Sequence, residues 1–169
     1  MRRSLKDFID KLDDNKELQD AKKYCKQSNL IKDYLKYKEK AVKEFWRYTI
    51  CLYQVWSFYE CYFDDAFILA HVLNITLTQR NKSQDYSPQM SGFQCDWLEE
   101  KAKILTNNGL IVYVVSQEIN SDSNDENIYR SVDKILLPTK EGEVNWSFIW
   151  SLEYLWEEWR LSFIEVNDL

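Results

Sequence analysis

The sequence predicts an α+β domain: a helical N-terminal half, then a small antiparallel β-sheet, then a C-terminal aromatic element that is either helix or strand. Three observations carry this expectation. The first Pro is Pro88 and the first Gly is Gly92, so a long opening stretch rich in Lys, Glu, Leu and Ala runs without a breaker. Two strand-like runs, at 110–115 and 128–137, come only afterwards. A chain of 169 residues, 45% hydrophobic and 30% charged, has the length and composition of a single globular domain.

The helices follow in order. Ser4 with Asp7 resembles a capping arrangement, and Leu5, Phe8, Ile9 and Leu12 recur at helical spacing. Asp13 or Asp14 is expected to cap a second helix carrying Leu18, Ala21 and Cys25, and Ser28 or Asn29 a third. On that third helix Ile31, Tyr34, Leu35, Ala41, Val42, Phe45, Trp46, Thr49, Leu52, Tyr53 and Trp56 share one side. From Ile50 the pattern is apolar all round, which fits a helix diving into the core, with a strand over 51–63 as the alternative. Asp64 and Asp65 read as the cap of a helix over 66–77, and a polar link covers 78–92. Residues 96–105 form a helix that Asn107, Asn108 and Gly109 end, because these residues tolerate left-handed backbone.

Between the two strand candidates lies an acidic loop, 120–127. Pro138 stops the second strand, and Lys140-Glu141-Gly142 makes a turn. In the tail, Val144, Trp146, Phe148, Trp150, Leu152, Tyr154 and Trp156 alternate as a strand would. Phe148, Leu152, Leu155, Trp156, Trp159 and Phe163 fit a helix equally well. The expected organisation is one domain over 1–169, with a basic helical part (1–63), a central part (64–138) and an aromatic acidic tail (139–169).

The net charge of -6 is unevenly spread. Residues 1–47 hold 14 Lys and Arg against 9 Asp and Glu, whereas 48–169 hold 8 against 19. A basic arm on an acidic body bounds the partners: the arm suits nucleic acid or an acidic surface, and the body suits a basic protein. The two parts facing each other inside the fold is the equal alternative. Met-Arg-Arg-Ser-Leu-Lys-Asp is followed by no apolar run, so neither a signal peptide nor a membrane span is expected, and the expected location is cytoplasmic.

Leu98, Ile104, Leu105, Gly109, Leu110 and Ile111 resemble the "L…L…GLI" pattern that winged-helix domains place between recognition helix and first wing strand. Asp65-Ala-Phe-Ile-Leu-Ala-His-Val-Leu73 resembles the opening helix of replication-initiator-like members. The similarity covers about 64–138 and implies a small winged sheet. Asp96, Glu99 and Glu100 fall on the recognition helix it implies, and Asp122, Asp125 and Glu126 on its wing. Phosphate contact needs cations there, so the resemblance implies a protein-contacting winged helix.

Candidate sites are few. Glu60, Asp64 and His71 sit near one helical face if the chain runs straight through, and carboxylates with an imidazole can bind metal or move protons. The competing reading makes Asp64 a cap and His71 a boundary residue. Cys25, Cys51, Cys61 and Cys95 have no Cys-x-x-Cys spacing, so reduced thiols and no closed zinc site are expected. Three glycines build no phosphate-cradling loop, and neither an enzyme nor a cofactor is expected. An acidic and aromatic surface made of Asp122, Asp125, Glu126, Glu153, Glu157, Glu158 and Trp159 suits a basic protein, as in an inhibitor, immunity or adaptor protein. The alternative is a DNA- or RNA-binding regulator that uses Lys32, Lys36, Lys40, Lys43 and Arg47.

Overall fold

The computed structural model describes residues 3–45, 48–119 and 128–138. Three helices open the chain: α1 (Arg3–Leu12), α2 (Lys16–Tyr24) and α3 (Asn29–Phe45). Leu5, Ile9 and Leu12 bury one face of α1, and Leu18 and Ala21 bury that of α2. Asn15, rather than Asp13 or Asp14, caps α2, its Oδ1 accepting from the Leu18 amide at 2.9 Å. Ser28 Oγ accepts from the Ile31 amide at 3.4 Å where α3 begins.

The helix expected to continue to Trp56 ends at Phe45. Strands β1 (Thr49–Val55) and β2 (Phe58–Tyr62) follow as a hairpin. The reason lies in burial: Thr49 to Tyr53 are all buried, so both faces of β1 are covered. A strand covered on both faces carries a continuous apolar run instead of an alternating one. Helix α4 (Asp64–Leu73) is shorter than the 66–77 expected and stops at Asn74, whose φ of 52° is left-handed. The link at 78–92 contributes β3 (Thr78–Gln79) and the first part of β4 (Gln89–Gln94). A 3-10 turn (Cys95–Trp97) leads into α5 (Leu98–Asn107), and Gly109, at φ 86°, turns the chain into β5 (Ile111–Ile119). Strand β6 (Ile128–Leu136) completes the described chain.

The strands form one six-stranded sheet in the order β3-β4-β2-β1-β5-β6. Neighbours are antiparallel except β1 and β5, which run parallel from Thr49↔Ile111 to Tyr53↔Val115. This topology overturns the winged-helix expectation. The strand after α5 does not start a small wing. It enters a mixed sheet between β1 and β6, in parallel with a strand more than 50 positions earlier in the chain. The coarser expectation, helices followed by a sheet in an α+β fold, is what the structure has.

Helix α3 packs on β1 and β5, α4 on β4, β2 and β1, and α5 on α4 and β5. Ile50, Leu52, Leu69, Leu105, Leu110, Val112 and Val114 are fully buried among them. Each such side chain contributes about 1.5–3 kcal/mol relative to exposure. Among the described residues no helix is long and apolar enough to cross a membrane. The tail expected over 144–163 lies outside the described residues.

Candidate functional site

The hairpin joining β1 to β2 is closed by the pair Val55↔Phe58, leaving only Trp56 and Ser57 in the turn. So tight a connection needs a positive φ, usually supplied by Gly or Asn. Here Trp56 supplies it, at φ 55°. A left-handed backbone on a bulky residue costs roughly 1–2 kcal/mol, so the surroundings must hold it there. Three hydrogen bonds do so. The Trp56 amide donates to Gln117 Oε1 at 3.1 Å, Gln54 Nε2 donates to the Trp56 carbonyl at 2.9 Å, and the Cys95 amide donates to the Ser57 carbonyl at 2.9 Å.

This pinned turn presents aromatic surface to solvent. Trp56 is 60% exposed, Phe58 42% and Trp97, two residues beyond Cys95, 48%. Lys101 Nζ lies 5.0 Å from the centroid of the Trp97 ring. Tyr24, Tyr86 and Tyr129 are exposed elsewhere, so it is the position of these rings at and beside a pinned turn that makes them a candidate contact surface.

Beneath the turn runs a polar frame. The Gln117 amide donates to Gln54 Oε1 at 2.8 Å, and Arg130 Nε donates to the Gln54 carbonyl at 3.1 Å. The Arg130 guanidinium lies 4.8 Å from the Tyr53 ring centroid, and Tyr37 donates its hydroxyl to the Arg130 carbonyl at 2.5 Å. Tyr53 donates to Asp33 Oδ2 at 2.5 Å; burial, then that bond, pushes its hydroxyl pKa up. Strand β1, helix α3 and the outer strand β6 are thereby tied together below Trp56.

On β2, Phe58, Glu60 and Tyr62 share one face by strand alternation. The Glu60 carboxylate pairs with Arg80 at 3.0 Å and accepts from the Tyr62 hydroxyl. Burial, then the Glu60 charge, raises the Tyr62 pKa. Opposite Glu60 stands Gly92, where an added Cβ would lie 2.6 Å from the Tyr59 carbonyl oxygen. Only glycine permits so close an approach of β4 to β2.

The residues singled out from sequence are scattered. Glu60 pairs with Arg80, Asp64 with Lys22 at 2.7 Å, and His71 stacks on Phe8 with ring centroids 4.1 Å apart. Among the described residues they form no metal-holding group. Asp65 does not cap α4; it accepts instead from Tyr34, Lys38 and the Cys51 amide. Cys51 and Cys61 are buried, and burial first, then the Asp65 charge, raises both thiols.

Lys32, Lys36, Lys40 and Lys43 are exposed on α3, and Lys43 pairs with Glu39 at 2.9 Å. Arg47, Asp122, Asp125, Glu126, Glu153, Glu157, Glu158 and Trp159 lie outside the described residues. Sequence reasoning missed Trp56, Phe58, Trp97, Gln54, Gln117, Arg80 and Arg130. The one available signal was the Trp-Ser pair between two strand-like runs, and it lacks the Gly or Asn that marks a tight turn.

The acidic body is also less repulsive than its net charge suggests. Lys22 pairs with Asp64, and Lys38 with Asp65, both at 2.7 Å, so part of the basic arm neutralises the body from within. Glu60 and Glu99 carry Arg80 and Lys134.

Comparison with known proteins locates the whole arrangement. The family model described as MutS domain I matches residues 29–143. The DNA mismatch repair protein MutS of Nostoc punctiforme is 34% identical over 113 residues, which cover 66% of this chain and 12% of that protein. The MutS of Chlamydia muridarum is 32% identical over 89 residues, 53% of this chain and 10% of that protein. The MutS of Microcystis aeruginosa is 28% identical over 151 residues, 83% of this chain and 17% of that protein. The chain thus spans less than a fifth of the length of these relatives. The matches overturn the replication-initiator-like winged helix, the inhibitor, immunity or adaptor function, and the basic protein partner. The winged-helix reading rested on a short, common pattern, and the other two on charge, which the internal ion pairs make a poor guide to local potential.

Proposed function

The chain belongs to the MutS domain I family, and from that premise we propose that it is a non-catalytic DNA-binding domain whose β1–β2 hairpin tip enters a duplex at a mispaired step. The observation that carries the proposal is the exposed aromatic pair Trp56 and Phe58 on a turn held rigid from three sides. The relatives' description as DNA mismatch repair proteins supports the choice of DNA. It is the nucleic-acid alternative of the sequence reading, with a different surface.

Physics supplies the selectivity. An apolar wedge inserted between base steps unstacks them and bends the duplex, at a cost of a few kcal/mol per step. That cost is least where a pair is already mismatched, so a wedge finds the defect through deformability instead of a base code. Stacking on an aromatic ring returns about 1–3 kcal/mol per base. Phosphate affinity must come from cations nearby. Arg130 lies under the turn, and the exposed Lys32 and Lys36 flank Asp33, which holds Tyr53.

The test is fluorescence anisotropy of the chain with labelled duplexes, one fully paired and one carrying a single G·T mismatch. The mismatched duplex should bind more tightly, and Phe58→Ala should remove most of that difference, a loss of about tenfold. Equal affinity for both duplexes, unchanged by Phe58→Ala, would reject the proposal.

A further inference from the structure

We infer that Trp56 is a second stacking platform, separate from the Phe58 wedge, which takes up the face of an unpaired nucleobase in a duplex. The inference rests on the DNA-binding reading above and deepens it. Three observations carry it. Trp56 is the most exposed of the large hydrophobic side chains described, at 60%. It occupies a left-handed backbone position, φ 55°, where glycine would sit without strain. Its amide and carbonyl are both held by side chains, Gln117 and Gln54, whose own backbone or side chain ties to Arg130.

A ring that leaves 60% of its surface in solvent recovers only part of the burial that a core tryptophan would set against the backbone strain. Such outliers accumulate where a side chain's direction matters. The chemistry of an indole is equally specific about what it receives. A flat, polarisable face of this size matches a nucleobase, and every base offers a π-face whatever its sequence. Phe58 lies across the same turn, paired with Val55. A base displaced from the stack by one ring therefore has the other at hand. The cationic head of Arg130, over Tyr53 and bonded to the same glutamines, sets a positive charge beside the turn that can meet the displaced nucleotide's phosphate.

The experiment uses the full chain and a duplex bearing one unpaired 2-aminopurine, whose fluorescence is quenched on stacking. Wild type, Trp56→Gly and Phe58→Ala are compared, with a fully paired duplex as reference. Trp56→Gly should lower affinity for the bulged duplex about tenfold and abolish the quench. Affinity for the paired duplex should fall by less than that for the bulged duplex, and the unfolding midpoint should hold or rise as strain is relieved. Trp56→Asn, which also tolerates a left-handed backbone, should behave alike if the glycine variant is poorly folded. Wild-type quenching retained in both Trp56 variants overturns the inference while leaving the DNA-binding reading standing. No binding of wild type to either duplex at low salt overturns both.

Discussion

Lys38 of α3 and Asp65 of α4 meet at 2.7 Å in the interior, with the carboxylate fully out of solvent and the ammonium also against the Thr49 carbonyl. Asp65 further accepts from the Tyr34 hydroxyl at 2.8 Å and from the Cys51 amide at 2.9 Å. One side chain thus joins two helices to the first residues of the central strand. A buried pair is weak evidence of net stabilisation, but removing one partner strands the other charge. Asp65→Ala should cost about 3–5 kcal/mol in urea unfolding. A loss below about 1 kcal/mol would mean that water reaches Lys38 and that the cluster is not a structural clamp.

The Tyr34 hydroxyl at the same cluster is pushed well up by burial and then by the Asp65 charge. Burial also raises Tyr53 and Tyr62, and lifts Tyr113 to about 12. In the unfolded chain these phenols ionise near 10. The folded state holds protons that the unfolded state releases, so the stabilisation is complete below about pH 10 and is lost above it. Stability should be level up to about pH 8.5, begin to fall as the unfolded thiols of Cys51 and Cys61 ionise, and steepen above about pH 10, by about 1.4 kcal/mol per pH unit for each retained proton. Tyr34→Phe should lower the plateau and shallow the alkaline slope. Urea melts at several pH values read both, and an unchanged slope would show that Tyr34 ionises freely in the fold.

Gly92 makes a separate point about the sheet. Replacing glycine in a strand commonly stabilises, because the unfolded chain loses freedom. At this position a Cβ would sit 2.6 Å from the Tyr59 carbonyl oxygen, which is backbone and cannot swing aside. Gly92→Ala should therefore destabilise by about 1–3 kcal/mol, the cost of forcing packed strands apart. An alanine variant as stable as wild type would indicate that β4 slides on β2 without penalty.

How much of this was legible in the sequence varies with the range of the forces involved. The starts of α1, α2 and α3 have local signatures, and the Asn107-Asn108-Gly109 stop was read correctly because Gly109 needs its φ of 86°. Strand β5 was visible as a β-branched run, and β6 as a partly alternating one. By contrast, Ile50 to Tyr53 is apolar all round, and periodicity alone does not separate a strand covered on both faces from a buried helix. The pairing of Thr49 with Ile111 has no local signature at all. Strand β4 was hidden by Gln89, Ser91, Gly92 and Gln94, whose polar character reads as a link. The site was lost for the same reason. Trp56 looks like any core tryptophan until the hairpin is known, and its exposure is a property of the turn.

The lysines of α3 were legible as a basic stripe, and the fold now divides them. Asp33 and Tyr37 reach Tyr53 and Arg130, so the stretch of α3 that carries the exposed Lys32 and Lys36 lies toward the hairpin end of β1. Lys40 and Lys43 lie toward the other end, beyond Lys38 on the Thr49 carbonyl, and Lys43 is already paired with Glu39. If the tip meets a duplex, the first two are in position to neutralise phosphates and the second two are not. Each phosphate contact contributes about 0.9 to the slope of log affinity against log salt. The double variant Lys32→Glu, Lys36→Glu should therefore flatten that slope by about 2 and weaken matched and mismatched duplexes alike. Lys40→Glu, Lys43→Glu should leave the slope close to wild type. Equal effects of the two double variants would mean that α3 acts only through its total charge, and the orientation of the duplex over the hairpin would have to be abandoned.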